Sequence, residues 1–312
     1  MTHEMDNISA RLGGQVMALD MSRAQNILLT RWPDENVAPM QASISAGPLE
    51  VPRGERYGVA SRVAVMPIRG ILTPDSVILE RYLGWATYQG IETACTELAA
   101  NDDISAVVLD VNSPGGMVLG LDGAVQAIAK LAAVKPVHVL INPMAASAAY
   151  WLASQGTQIT MTPGSELGSI GAMRMSLWPV QPGFDGDKMG IHVSSHARGK
   201  RPDPTSEAGM IEIQRSLDEA EGAFLDAVAQ GRGLDRATLP ALLSVTDDDA
   251  DGGAMYRVGD AIERGLANEE QTRAAFYDQV LSTYEPQSGG GQRALGRSAK
   301  ALAQAAQARA AL

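Results

Sequence analysis

The stretch ISAVVLDVNSPGG, residues 104–116, decides the fold class of this 312-residue chain. It begins as a continuous apolar run with the length of a buried strand, and the Asn-Ser-Pro-Gly-Gly sequence ends that strand in a turn. The helical pattern LGLDGAVQAIAKLAA follows at residues 119–133, and a second apolar run, KPVHVLIN, follows at residues 135–142. A buried strand, a helix and another buried strand in this order indicate a parallel strand pair joined by a helix.

The same alternation extends on both sides of this stretch. A short β-rich run, VAVMPIRGIL, precedes the helical pattern YQGIETACTELAAN at residues 88–101, and a further strand pattern, TQITMTP, lies at residues 157–163. Strands and helices that alternate at this spacing predict an α/β fold with a largely parallel sheet. The segment 208–234 carries an apolar stripe at helical spacing and predicts another long helix.

Composition predicts three regions along the chain. Residues 1–58 form an N-terminal extension, in which SRAQNILLTRW favours a helix and the Pro-, Gly- and Ser-rich residues 33–58 favour an extended arm or linker. Residues 59–284 form the main domain. Residues 285–312 begin with a Gly-rich linker and end in a basic, Ala-rich tail that favours a helix.

The overall composition narrows the class of function. The formal net charge is −11, which argues against a basic nucleic-acid-binding surface. The chain has one cysteine, Cys95, which lies in a helical pattern and is expected to be a packed thiol. The N-terminus has no secretory signal pattern, and no run of about 18 apolar residues occurs, so a cytoplasmic protein without a membrane span is expected.

Ser147 is the candidate nucleophile. It lies in NPMAASAAYW, residues 142–151, where an apolar strand ends and a helix is predicted to begin. Its small neighbours have two explanations. They either let a helix pack closely on a sheet or keep a nucleophilic hydroxyl clear of bulky side chains. A helix N-terminus offers free N–H groups, so the Ala148 N–H is a candidate donor to a developing oxyanion. The Gly115–Gly116 turn lies at a neighbouring strand end, and the Gly116 N–H is a second candidate donor.

The residues alone do not identify the general base. His192, His196 and Lys200 all lie in the loop-rich segment that follows the last predicted strand. His138 lies inside an apolar strand and is predicted to be a core residue. A lysine that acts near neutral pH needs a pKa roughly 3 below its ordinary value of about 10.4, which burial in an apolar cleft supplies.

Four motifs resemble a known family. NSPGGMV, AASAAYWLAS, GSIGAM and GLANEE occur in the order and spacing of the S49 peptidases, the signal peptide peptidase A family, which includes the capsid assembly proteases of tailed phages. The resemblance covers residues 63–269. It implies an α/β fold of the Clp protease/crotonase type, with mainly parallel sheets flanked by helices, and a Ser–Lys dyad that needs no metal or other cofactor.

The resemblance also assigns roles to individual positions. Ser147 is implied as the nucleophile, Lys200 as its base and Ser169 as the residue that orients the lysine amine. The SPGG turn implies an oxyanion donor at Gly116, which joins the Ala148 donor already predicted from the helix start. Gly115 and Met117 are predicted to contact the substrate.

The function implied is that of a serine endopeptidase that matures phage heads by degrading scaffold or capsid proteins, in the host cytoplasm or the procapsid. A homo-oligomer is expected, and neither nucleic acid nor membrane is expected as a partner. Two alternatives stay open. A crotonase-like protein would bind acyl-thioesters with the same two N–H groups, and an inactive relative would serve as a structural protein of the procapsid.

Overall fold

The structure is a computed structural model that describes residues 8, 15–34, 43–174, 199 and 202–285. The strands are β1 (Val16–Leu19), β2 (Ser43–Ala46), β3 (Leu49–Pro52), β4 (Gly58–Ala60), β5 (Val63–Arg69), β6 (Ala106–Ser113), β7 (Gly115–Met117), β8 (Val137–Ala146), β9 (Gln158–Met161), β10 (Glu166–Gly168), β11 (Met173–Arg174), β12 (Met255–Arg257) and β13 (Glu269–Glu270). The helices are α1 (Met21–Leu28), α2 (Tyr88–Ala100), α3 (Leu121–Val134), α4 (Ala148–Ala153), α5 (Glu207–Arg232), α6 (Leu239–Leu243), α7 (Val258–Glu263) and α8 (Arg273–Thr283), with a π-helical turn at Leu79–Leu83.

Eight of these strands form one mainly parallel sheet. Its main path runs β12–β10–β8–β6–β5–β4, and β9 pairs with both β8 and β13. The pairs β5–β6, β6–β8, β8–β9 and β8–β10 are parallel, whereas the outer strands β4 and β12 are antiparallel to their neighbours. The α/β fold with a mainly parallel sheet flanked by helices, predicted from the alternating pattern, is confirmed.

Strand β8 changes partner halfway along its length. Its first half, His138 to Ile141, pairs with β9, and its last residues, Met144 to Ala146, pair with β10. The register between β6 and β8 shifts after Val111. Because of this irregularity, the second half of β8 runs in a different direction from the first half. As a result, the carboxyl ends of β6, β8 and β10 converge.

The main core lies between the sheet and helices α2, α3, α4 and α5. The predicted helices at 88–101 and 119–133 correspond to α2 and α3, and their apolar faces are buried against β6 and β8. Cys95 in α2 is 2% exposed, and burial raises the pKa of its thiol to about 12. The expectation of a packed, unreactive cysteine is therefore confirmed.

The N-terminal region contains more regular structure than its composition predicts. The helix expected in SRAQNILLTRW is present as α1, and Asp20 caps it by accepting a hydrogen bond from the Arg23 N–H at 3.1 Å. The extended arm or linker predicted at residues 33–58 is wrong at residues 43–52. Residues 43–52 form the β2–β3 hairpin, whose buried Ala46 and Val51 pack against β5 and α8. Pro and Gly here mark a hairpin turn, and composition alone does not distinguish that turn from a linker.

A second, smaller sheet lies beside the converging strand ends. In it β1 is the central strand, antiparallel to β7 on one side and to β11 on the other. The residues Met17 and Leu19 pack with Ile71, Leu79 and α1 in an apolar cluster separate from the main core. In the part of the chain that the structure describes, none of the helices has the length and apolar character that crossing a bilayer requires.

Candidate active site

The two turns singled out in the sequence meet at one edge of the sheet. Ser113, at the end of β6, pairs with Ala145 near the end of β8, so the Pro-Gly-Gly turn lies beside Ser147. A Cβ placed on Gly115 would lie 3.0 Å from the Ser147 Cβ and 3.0 Å from the Ala146 carbonyl oxygen. Gly115, which also has φ of +102°, is therefore needed for this close approach.

Ser147 sits on a strained turn between β8 and α4. Its φ of 55° and ψ of −123° lie outside the regions that residues with a side chain ordinarily adopt. Its N–H donates to the Gly168 carbonyl at 2.7 Å, and its side chain makes no capping hydrogen bond to the helix. The residue is 1% exposed. A strained backbone that leaves the hydroxyl unused by the helix is a feature of functional turns.

The two aromatic residues after Ser147 anchor helix α4. The Tyr150 hydroxyl donates to the Leu266 carbonyl at 2.9 Å, and burial raises the pKa of Tyr150 well above its usual value. The Trp151 ring stacks on Phe224 of α5, with centroids 4.4 Å apart and planes 7° from parallel. Ala148 and Ala149 are fully buried, so the short helix lies close to the sheet. Both readings of the small residues are therefore compatible: they allow close packing and also place Ser147 at the helix start.

Ser169 reaches the same site from the neighbouring strand. Gly168 at the end of β10 pairs with Ala146 at the end of β8, so the next residue of each strand is a serine. Ser169 also has a positive φ, 52°, and its N–H donates to the Ala254 carbonyl at 2.8 Å. Ser147 and Ser169 line one open cleft. The structure thus brings together two of the three predicted catalytic residues.

The two predicted oxyanion donors belong to helix α4 and to strand β7. Ala148 is the first residue of α4, where the backbone N–H has no acceptor within the helix. Gly116 belongs to β7, and a Cβ on it would lie 2.0 Å from the Leu72 carbonyl oxygen, so no other residue fits without moving the backbone. Ser113 holds the turn: its hydroxyl donates to the Gly70 carbonyl at 2.7 Å and accepts from the Gly115 N–H at 3.1 Å. The sequence analysis missed this role of Ser113.

The cleft in front of Ser147 has a volume of ≈ 470 Å³. Leu19 of β1 forms part of its wall, which was not predicted. Two exposed carboxylates, Glu221 and Asp249, also line it. The wall is completed by apolar and glycine residues: Ile170, Gly171, Ala172, Met173, Leu225, Pro240, Leu243, Ala250, Gly252 and Gly253.

The predicted substrate-binding positions have a partner within the chain. Gly115 pairs with Leu19 and Met117 pairs with Met17, both in β1. The short apolar run Val16–Leu19 before the Asp20 helix cap was a signal for a strand here. Its pairing partner lies about a hundred residues away along the chain, and local patterns do not identify such partners.

Of the residues considered as the general base, the structure describes only His138. Lys200, His192 and His196 lie outside the described residues. His138 lies on β8, where its Nε2 is 3.0 Å from the Tyr284 hydroxyl, and burial lowers the pKa of its imidazole. The prediction that His138 has a hydrogen-bond partner is confirmed, but the side chain is half-buried at the sheet surface and does not belong to the core. Within the described ranges, no group of three or more His, Cys, Asp or Glu side chains could hold a metal ion.

The comparison with protein families identifies the class as peptidase. The profile of Peptidase family S49 matches residues 129–284, half of the chain, including Ser147 and Ser169. The chain therefore belongs to peptidase family S49, which confirms the family inferred from the four motifs.

Two curated phage proteins are similar to this chain. Capsid assembly protease C of Escherichia phage lambda is 30% identical over 70% of this chain and 48% of its own length. Head-tail preconnector protein GP5 of Enterobacteria phage P21 is 30% identical over 68% of this chain and 41% of its own length. The chain thus spans less than half of either relative.

Among solved structures, an enoyl-CoA hydratase from Shewanella pealeana shares 10% identity with a TM-score of 0.43, covering 73% of this chain and 72% of that one. A variant of the membrane-bound stomatin-specific protease 1510-N shares 15% identity with a TM-score of 0.41, covering 74% of this chain and 92% of that one.

Proposed function

We propose that this chain is a serine endopeptidase with Ser147 as its nucleophile, and that it cleaves scaffold or capsid proteins during phage head assembly. The observation that carries the proposal is the position of Ser147, on a strained turn where the ends of β6, β8 and β10 converge beside a cleft. Its hydroxyl makes no capping hydrogen bond at the helix start, and the first residue of α4 and the adjoining Gly115–Gly116 turn offer candidate oxyanion donors.

The proposed reaction is acyl transfer through a covalent intermediate. The Ser147 hydroxyl attacks the peptide carbonyl while the base removes its proton, and the N–H groups of Gly116 and Ala148 stabilise the negative oxygen. The peptide C–N bond then breaks, and the base returns the proton to the leaving amine. Water hydrolyses the acyl-enzyme and restores Ser147.

The proposed base is Lys200, which the family resemblance implies. A neutral amine must be available near pH 7, so the lysine has to be desolvated when the site is assembled. Ser169 is proposed to position this amine, since it stands beside Ser147 on the adjacent strand end.

The proposed substrates follow from the two phage relatives, whose names refer to capsid assembly and to the head-tail preconnector. Action in the host cytoplasm or inside the procapsid, and assembly into a homo-oligomer, are part of the same proposal.

Covalent labelling tests the function directly. We expect a fluorophosphonate to modify the chain once, and peptide mass mapping to place the label on Ser147. Buried Ser165 is an internal reference, because its hydroxyl makes no hydrogen bond within the described residues and it lies outside the cleft. A label on another serine would remove Ser147 from the mechanism. Absence of any label, with capture of a coenzyme A thioester, would favour the acyl-thioester-binding alternative.

Replacing Ser169 with alanine is expected to lower kcat by about 10²-fold, because a base displaced by about an ångström loses that much rate. KM should change little. A positioning role also predicts a shift in the acidic limb of the kcat/KM–pH profile, which a purely structural role would not produce. Ser165→Ala is the matched control and should leave both quantities unchanged. An unchanged pH profile in Ser169→Ala would contradict the positioning role.

A further inference from the structure

The chain's own N-terminal strand, β1, occupies the edge of β7 that lies next to Ser147. β1 runs antiparallel to β7, with Ala18 opposite Gly116 and Leu19 opposite Gly115. On its other edge β1 pairs with β11, where Met17 is opposite Met173. A segment in extended conformation is thus held between two strands, in front of the proposed nucleophile.

The hydrogen-bonding directions of β7 show which groups β1 covers. The Gly115 carbonyl accepts from the Leu72 N–H at 2.9 Å, and the Met117 N–H donates to the Leu72 carbonyl at 2.9 Å. Because backbone groups alternate between the two edges of a strand, the N–H and C=O of Gly116 point the other way, towards β1. The proposed oxyanion donor of Gly116 therefore faces the resident strand.

The register places one carbonyl of β1 at that donor. The Val118 N–H donates to the Val16 carbonyl at 3.1 Å, and hydrogen-bonded pairs recur every second residue in an antiparallel ladder. Ala18 and Gly116 are therefore such a pair, in which the Gly116 N–H donates to the Ala18 carbonyl.

The same carbonyl lies close to Ser147. A Cβ placed on Gly115 would lie 2.2 Å from the Ala18 oxygen and 3.0 Å from the Ser147 Cβ. The Ala18 carbonyl oxygen and the Ser147 Cβ thus both lie within 3.0 Å of the position that a Gly115 Cβ would take. A substrate whose carbonyl is to accept from the Gly116 N–H has to place its oxygen where the Ala18 oxygen now lies.

β1 belongs to the small three-stranded sheet and not to the parallel sheet. Met17 and Leu19 pack in an apolar cluster separate from the main core, and the small Ala18 is the residue of β1 that packs with the main core. The following helix is connected to β10 by an ion pair between Arg23 and Glu166, whose side chains are about one-third exposed, and such pairs contribute at most about 1 kcal/mol. Displacement of β1 therefore leaves the parallel sheet intact.

We infer that the channel between β7 and β11 is the peptide-binding groove of the proposed protease, and that Val16–Leu19 occupies it as an internal mimic of the substrate strand. This inference rests on the proposed function. Proteins are cleaved only after β1 has left the β7 edge. The resident strand also describes the preferred substrate, an extended segment with a small residue opposite Gly116. In the resident strand this small residue is Ala18, which faces the main core. The preferred substrate should carry large apolar residues on either side of it, as Met17 and Leu19 flank Ala18.

A reversible staple between β1 and β7 tests this inference. Met17 and Met117 are direct cross-strand partners next to a hydrogen-bonded pair. They therefore form the close, non-hydrogen-bonded type of pair, with a Cα separation suited to a disulfide. In the double variant Met17→Cys/Met117→Cys, oxidised glutathione should form the bridge and dithiothreitol should break it. The native Cys95 does not interfere, because it is buried and its thiol pKa is about 12.

We expect the oxidised form to cleave a protein substrate at least about 100-fold more slowly than the reduced form of the same variant, because the tethered strand then never vacates the groove. The comparison is made within one protein, so effects of the substitutions themselves cancel. The matched control is Ser45→Cys/Glu50→Cys, a cross-strand pair in the β2–β3 hairpin outside the cleft, whose activity should not depend on its redox state.

A second variant covers the case in which the double substitution is itself inactive. Leu19→Ala removes apolar contacts that hold β1, so it should raise the rate towards a protein substrate by about tenfold or more. Equal activity of the oxidised and reduced staple, or a folded Leu19→Ala protein with no gain in rate, would overturn the inference while leaving the protease proposal standing. If the wild-type protein neither cleaves proteins nor reacts with a fluorophosphonate at Ser147, the proposed function itself fails.

Discussion

Ser147→Ala is expected to lower kcat/KM for a protein substrate by at least about 10⁴-fold, because no other group in an acyl-transfer site replaces a missing nucleophile. The measurement is the release of fragments from a purified scaffold or capsid protein, followed by gel and mass spectrometry. What activity remains would come from oxyanion stabilisation and binding alone.

The substitution should leave the fold unchanged. The Ser147 side chain makes no capping bond to α4, so alanine removes no hydrogen bond on which the helix depends. The free energy of unfolding should therefore change by no more than about 1 kcal/mol. Ser165→Ala, another buried serine replaced in the same way, should retain full activity. Undiminished cleavage by Ser147→Ala would rule out Ser147 as the nucleophile.

Asp110→Ala should give the largest loss of stability among single substitutions considered for this chain. Asp110 lies on β6 and is 0% exposed. Its carboxylate binds the Arg69 guanidinium at 2.7 Å, the Arg273 guanidinium at 3.3 Å and the Tyr277 hydroxyl at 2.8 Å. Burial and the Asp110 charge together raise the pKa of Tyr277 well above its usual value, so its hydroxyl stays protonated as a donor.

Removing this carboxylate leaves Arg69 and Arg273 without their shared acceptor and removes the polar contacts between α8 and β6, although the apolar packing of α8 remains. We expect the free energy of unfolding to fall by about 3–5 kcal/mol, the range for removing one partner of a buried ion pair. Chemical denaturation monitored by circular dichroism gives this value.

Asp226→Ala is the matched control. Asp226 also pairs with an arginine, Arg236, at 2.6 Å, but the two side chains are 70% and 41% exposed. Water screens such a pair, so its loss should cost less than about 1 kcal/mol. A change for Asp110→Ala as small as that for Asp226→Ala would show that the buried network does not stabilise the fold.

The parallel sheet and its helices were predictable because their signals are local. The apolar run before NSPGG, the helical pattern after it and the strand before Ser147 each depend on neighbouring residues alone. The positions of Ser147 and Gly116 at two strand ends follow from the same pattern, because parallel strands end at one edge of a sheet. Family motifs then added Ser169, which local patterns do not single out.

Other features depended on contacts between distant residues. The hairpin at residues 43–52 was predicted as a linker, because its Pro and Gly residues look the same in a turn and in an extended arm. It is stable because Ala46 and Val51 are buried against β5 and α8, and no local pattern records that burial. The Asp110 network likewise joins residues far apart in the chain.

The sequence by itself determined the order of strands and helices, the glycine turn and the serine at the start of α4, since short-range periodicity and turn chemistry specify these. Only the tertiary structure decided that Val16–Leu19 lies on the edge of β7, against Gly116 and beside Ser147. The physical reason is that any exposed strand edge offers the same row of N–H and C=O groups. Which segment pairs with it depends on the packing of side chains such as Met17 and Leu19 in the folded chain.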